Sequence, residues 1–130
     1  MSERNTENMF SFLNRGAGPR VERIAANEAV ARSAAGEIII IDVREQAEVA
    51  ASGKAQGALH VPLMTLAMRC DPRSPECLPE LDPAKPVALY CASGGRSHRA
   101  GEMLISMGYA EVYNIGGLYD WHAAGGAITR

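Results

Sequence analysis

The sequence predicts an α/β fold, an open parallel sheet with helices on both faces. Three observations predict it. Apolar, strand-like runs alternate with helical patterns along the chain. Ile38-Ile39-Ile40-Ile41 is a continuous β-branched run, the pattern of a parallel strand covered on both sides. Val87-Ala88-Leu89-Tyr90 leads into a glycine-rich loop and then an amphipathic segment, the order strand, tight turn, helix.

In order, Val21 to Ile24 predicts a short strand. Asn27 to Ala35 predicts a helix stopped by Gly36, with Ala29, Val30, Ala34 and Ala35 on or near its buried side. After the strand Ile38 to Ile41, Glu45 to Ala51 predicts a short helix ended near Gly53, and Leu59 to Val61 a minor strand. Thr65 to Lys85 holds Asp71-Pro72-Arg73-Ser74-Pro75-Glu76-Cys77-Leu78-Pro79, so an irregular connection is expected. Val87 to Tyr90 is the second core strand. His98 to Met107 predicts a helix closed by Gly108, with Met103, Leu104 and Met107 as core residues. Val112 to Ile115 predicts a third strand. Leu118 to Ala123 predicts a last helix ended by Gly125-Gly126, with Trp121 as a packing anchor. No segment repeats.

At 130 residues and 47% hydrophobic, the chain has enough apolar mass for one core without disulfide staples. Its three cysteines cannot pair completely, which speaks against a secreted disulfide framework and for the cytoplasm. A net charge of −2 excludes a nucleic-acid binder that works through bulk positive charge. No apolar run approaches the ~20 residues that span a bilayer, so no membrane partner is expected. Residues 1–19 read as a mobile tail, with Met9, Phe10, Phe12 and Leu13 as a short apolar patch, and residues 20–130 as the folded domain.

The chemistry concentrates in Cys91-Ala92-Ser93-Gly94-Gly95-Arg96-Ser97. A glycine-rich loop between a strand and a helix turns backbone N–H groups inward at a helix N-terminus, and such a site favours negative charge. Cys91 leads into it, so its thiol is expected to ionise below the free value of roughly 8.5. Arg96 is expected either to orient an anionic substrate with its planar fork of donors or to brace the loop carbonyls. Ser97 reads as the N-cap of the following helix, with a hydroxyl that can also face the loop.

At this point the chain resembles the rhodanese family, and not in the loop alone. Ile38 to Ile41 followed by Asp42-Val43-Arg44-Glu45 is similar to the family's first core strand and its ending. Gly57-Ala58-Leu59-His60-Val61-Pro62 is similar to its Gly-Ala-x-x-x-Pro segment. Cys91 to Ser97 resembles the active-site loop, and Gly116-Gly117-Leu118 with Trp121 resembles the C-terminal signature. These elements run in family order from about Val21 to Ile128. Gly53-Lys54-Ala55 stands where Gly-His-Ile is frequent, and Val49 follows Glu48 where an aromatic residue is usual. Both are packing positions.

The resemblance implies a rhodanese-like domain in which Cys91 carries a persulfide. A sulfane sulfur would pass from thiosulfate or a persulfide donor to cyanide, a thiol or a protein acceptor. Four residues separate Cys91 from Arg96, whereas cysteine phosphatases have five and also need a general acid for the leaving alkoxide. Asp42 and Arg44, at the carboxyl end of the first core strand, are expected either to support the Cys91 loop or to form ion pairs with Glu45 or Glu48. His98 and Arg99 follow the loop, and Arg99 adds positive potential or is simply solvated. His60 and His122 have no visible ligand set. Neither a metal nor an organic cofactor is implied. Cys70 and Cys77 read as two unpaired thiols or as a redox link, either Cys70 with Cys77 or one of them resolving Cys91. The alternatives to turnover are a sulfur relay, a regulatory protein-binding module, a cysteine phosphatase and a redox sensor.

Overall fold

The computed structural model describes residues 18–130. Apart from its last two residues, the tail expected over residues 1–19 lies outside them.

Five strands form one parallel sheet in the order β1-β6-β5-β2-β4: β1 Glu22–Arg23, β2 Ile39–Asp42, β4 Leu59–His60, β5 Val87–Cys91 and β6 Val112–Gly117. Helices α1 (Ala26–Ala34), α2 (Gln46–Ser52), α3 (Leu66–Cys70), α4 (Gly95–Ser106) and α5 (Leu118–Ala123) connect or flank them. The expected α/β sheet with helices on both faces is what forms. Four elements in two places are unforeseen. Lys54–Ala55 (β3) pairs antiparallel with Ile128–Thr129 (β7) in a separate ribbon. Within the expected irregular connection, a 3₁₀ turn at Leu63–Thr65 runs into α3, because Leu66 and Cys70 reach the core one helical turn apart.

Side-chain alternation decides what each strand residue touches. Along β5, Val87, Leu89 and Cys91 join the core on the α3–α4 face, with Val61, Leu66, Leu104 and Val112. Ala88 and Tyr90 join the other face with Ile40, Ala29 of α1 and Trp121 of α5. Residues Val87 to Cys91 are all buried, as a central parallel strand demands. Met103 and Met107 pack against the α4-side core as expected, and Trp121 is buried against α1 and the sheet.

The β5–β6 ladder shifts register after Leu89. Asn114 lies opposite Leu89, whereas Gly116 and Gly117 lie opposite Tyr90 and Cys91. Ile115 is thus the bulged residue, and the shift slides two glycines beneath the loop that follows β5. Gly117 cannot carry a side chain there, since a Cβ would meet the Ala92 carbonyl oxygen at 2.2 Å.

Candidate active site

Strand β5 delivers Cys91 to the carboxyl edge of the sheet, on the α4 side. The chain then turns sharply, and Gly94 takes φ of +107°, a left-handed conformation that suits glycine. Helix α4 therefore begins at Gly95, three residues before the expected start at His98. Its N-terminus lies against the sulfur. The Gly94 N–H donates to Cys91 Sγ at 3.0 Å and the Ser97 N–H at 3.4 Å. Cys91 is 1% exposed, while Ala92, Ser93 and Gly95 around it are open to solvent. Burial pushes the thiol up. Donation from the Ser97 hydroxyl and from the N–H groups of Ser97, Gly94 and Ser93 outweighs burial and holds it below the ordinary thiol range.

Ser97 is not the N-cap; Gly94 is. The three-residue shift puts Ser97 inside the first turn, fully buried, with Oγ 3.4 Å from Cys91 Sγ. The Ser97 hydroxyl also lies 2.8 Å from Asn114 Oδ1, to which it donates. Asn114 is a support that sequence reasoning missed. Its Oδ1 also accepts from the Gly116 N–H, and its Nδ2 donates to the Gly94 carbonyl, so one buried amide ties the loop, α4 and β6 together. A single asparagine inside a strand-like run was the available signal, since a buried amide needs several partners.

Arg96 neither braces loop carbonyls nor stands free. Its guanidinium donates to both carboxylate oxygens of Glu48 on α2, at 2.7 and 2.9 Å. Glu48 Oε1 also accepts from the Glu45 N–H in a capping box. These bonds, led by Arg96, hold the Glu48 carboxyl down at about 2 and raise Arg96. Gly95 and Arg96 occupy the first two positions of α4, whose N–H groups no carbonyl of that helix can reach.

Asp42 and Arg44 pair with each other, not with Glu45 or Glu48. Arg44 donates to Asp42 through Nε and Nη2, to Ser52 Oγ and to the Gly53 carbonyl. The Tyr90 hydroxyl donates to Asp42 at 2.5 Å, and burial with this bond pushes Tyr90 up. The reason is alternation. Asp42 is in register with Tyr90 on β5, and both stand on the face opposite Cys91. Asp42 and Arg44 make no bond to the Cys91 loop among the described residues.

A cleft of about 710 Å³ opens beside the loop, with Ala92 in its wall. Cys70 and Cys77 are free thiols. Cys70 is buried under α4, and burial pushes its thiol up to about 12, so it stays protonated. His98 pairs with Glu102, and His60 Nε2 meets the Arg44 carbonyl. Among the described residues there is no cluster of metal-ligating side chains, and no helix long and apolar enough to cross a membrane.

The sequence profile of the Rhodanese-like domain matches residues 25–124. A sulfurtransferase of Allochromatium vinosum is 31% identical over 86 residues, 65% of this chain and 72% of that protein. Thiosulfate sulfurtransferase GlpE of Coxiella burnetii is 34% identical over 88 residues, 67% of this chain and 74% of that one. A solved Rhodopseudomonas palustris protein of unknown function, described as a possible tyrosine phosphatase, superposes with a TM-score of 0.74. It is 33% identical, and the match covers 84% of this chain and 85% of that one.

Proposed function

Because the chain belongs to the rhodanese-like domain family, we propose that it is a sulfurtransferase that carries a sulfane sulfur on Cys91. The observation that carries this reading is the buried Cys91 thiol, bonded by two backbone N–H groups at the start of α4. Such a site stabilises a thiolate, and the thiolate is the nucleophile.

In the first step Cys91 Sγ attacks the outer sulfur of thiosulfate. A new S–S bond forms, the S–S bond of thiosulfate breaks, and its electron pair leaves on sulfite. Sulfite departs as a stable anion, so no general acid is required. The outer sulfur then rests on Cys91 as a persulfide, and the unsatisfied N–H groups of Gly95 and Arg96 suit its negative charge. In the second step cyanide or a thiolate attacks that outer sulfur, and the electron pair of the persulfide bond returns to Sγ. Ala92, Ser93, Gly94, Gly95, Arg96 and Ser97 form the cradle. Asp42 and Arg44 pair with each other and stand outside this cradle. Three unpaired thiols suit a reducing compartment such as the cytoplasm.

The test is an intact mass after incubation with thiosulfate. The wild-type chain should gain one sulfur atom and lose it on addition of cyanide, and Cys91→Ala should gain none. A wild-type chain that takes up no sulfur would overturn the reading and leave a binding module.

A further inference from the structure

Two free thiols lie outside the Cys91 loop, Cys70 and Cys77, and the chain folds back to bring them together. Six residues separate them. The Leu78 N–H donates to the Arg69 carbonyl at 2.8 Å and closes this excursion. Cys70 and Cys77 are the residues just inside that bond. In an antiparallel pair, a bond so placed flanks two residues that face each other with Cα atoms about 4.5 Å apart. A disulfide spans roughly 4.4–6.8 Å between Cα atoms.

The segment between them is folded to hold this approach. The Ser74 N–H donates to the Asp71 carbonyl at 2.9 Å, and the Cys77 N–H to the Ser74 carbonyl at 3.2 Å. The Ser74 hydroxyl donates to the Met68 carbonyl of α3 at 2.6 Å and accepts from the Glu76 N–H. Pro72 and Pro75 fix the backbone further. The two sulfurs also act on each other. Burial, and then Cys77, pushes the Cys70 thiol up. Burial and then both sulfurs raise Tyr109, whose hydroxyl donates to the Cys70 carbonyl. Access is unequal: Cys70 is fully buried at the end of α3, and Cys77 is half-buried. Cys91 is the partner of neither. It lies at the N-terminus of α4, whereas Cys70 meets Tyr109, which follows the C-terminal end of that helix. The 12 residues of α4 put ~18 Å between those ends.

We infer that Cys70 and Cys77 form a redox modification site, which a small organic disulfide oxidises to a bond between the two. The site is independent of the sulfurtransferase reading. Cys77, the more open thiol, attacks one sulfur of the small disulfide as a thiolate. A bond forms between Cys77 Sγ and that sulfur, the bond within the small disulfide breaks, and its electron pair leaves on the first small thiolate. Cys70 then gives its proton to solvent and attacks Cys77 Sγ. The bond from Sγ to Sγ forms, the mixed disulfide breaks, and its electron pair leaves on the second small thiolate. Two protein thiols are oxidised and one small disulfide is reduced to two thiols. The product pins the end of α3 to the segment that follows it.

The probe is 2-hydroxyethyl disulfide, which is small and uncharged. The full chain carrying Cys91→Ala keeps Cys70 and Cys77 as its two thiols. After treatment its intact mass should fall by two hydrogens, and peptide mapping without reduction should recover Cys70 joined to Cys77. Mapping of the treated wild-type chain should recover the same link. When Cys77→Ser is added to Cys91→Ala, Cys70 should stay a free thiol, because the probe does not reach it. Closing the link should raise the melting temperature of the Cys91→Ala chain by a few degrees, since it restricts the unfolded chain. Two free thiols after treatment overturn the inference, as does a hydroxyethylthio adduct that stays on Cys77. A link from either thiol to Cys91 in the wild-type chain, or an adduct on Cys70 in the Cys77→Ser chain, also overturns it. So does a lower melting temperature on oxidation, which would mean that the two sulfurs meet only by distorting α3.

Discussion

The Ser97 hydroxyl has one proton and two neighbours that want it, Asn114 Oδ1 at 2.8 Å and Cys91 Sγ at 3.4 Å. When Cys91 is a thiol, its S–H can donate to Ser97 Oγ while the hydroxyl donates to Asn114. When Cys91 is a thiolate, the hydroxyl turns to the sulfur, and the Gly116 N–H still satisfies Asn114. The backbone N–H groups of Gly94 and Ser97 donate in either state and form the constant part of the site. Alkylation of Cys91 followed against pH should therefore inflect below the free value of roughly 8.5, and sulfur uptake should fall as pH drops through that same inflection. Ser97→Ala keeps every N–H group and loses the hydroxyl. Its inflection should rise and still lie below the free thiol. An inflection above it would mean that the hydroxyl, not the backbone, offsets burial.

At the scale of elements, the Arg96–Glu48 pair is the link between α4 and α2. It is an interface clasp between two helices that carry no other charge pair to each other among the described residues. Glu48 is held down from 4.5 to about 2, so folding is favoured while it is ionised. The sign follows from linkage: the contribution is complete above pH 4.5 and is lost as pH falls through about 2. Both side chains are 36% exposed, so solvent screens the pair and its worth is at most ~1 kcal/mol. Thermal melts of wild type and Glu48→Gln should differ by a few degrees at neutral pH and converge as the pH approaches 2. Glu48→Gln also releases the guanidinium fork at the rim of the loop, so KM for thiosulfate should fall. An unchanged gap across that pH range would show that the pair contributes nothing as an ion pair.

At the scale of the whole molecule, the sheet sets how large an anion the loop can hold. Cys91 is fixed by β5 and Arg96 by α4, and both elements pack into the same buried core, so the ring between them cannot widen without moving a helix. Four residues span that gap. Inserting one glycine between Gly94 and Gly95 should weaken sulfur transfer at least tenfold and admit slow hydrolysis of an aryl phosphate. Assays with thiosulfate and an aryl phosphate on both proteins check this. Robust phosphatase activity in the unaltered chain would favour the chemistry suggested for the Rhodopseudomonas palustris neighbour instead.

The sequence by itself determined the parallel α/β sheet and the order strand, glycine loop, helix around Cys91. Both are local: β-branched runs, glycines and helical spacing act over a few residues and survive in any context. Tertiary structure decided the partners. Glu48 finds Arg96 across 48 positions and Ser97 finds Asn114 across 17, and periodicity carries no such pairing. Ser97 read as a cap because its hydroxyl suits one; the left-handed turn at Gly94 started the helix earlier and buried it. Asp42 and Arg44 looked adjacent to the loop because their strand ends beside it. Strand alternation and the Asp42–Tyr90 register turn them to the opposite face, where they close on each other.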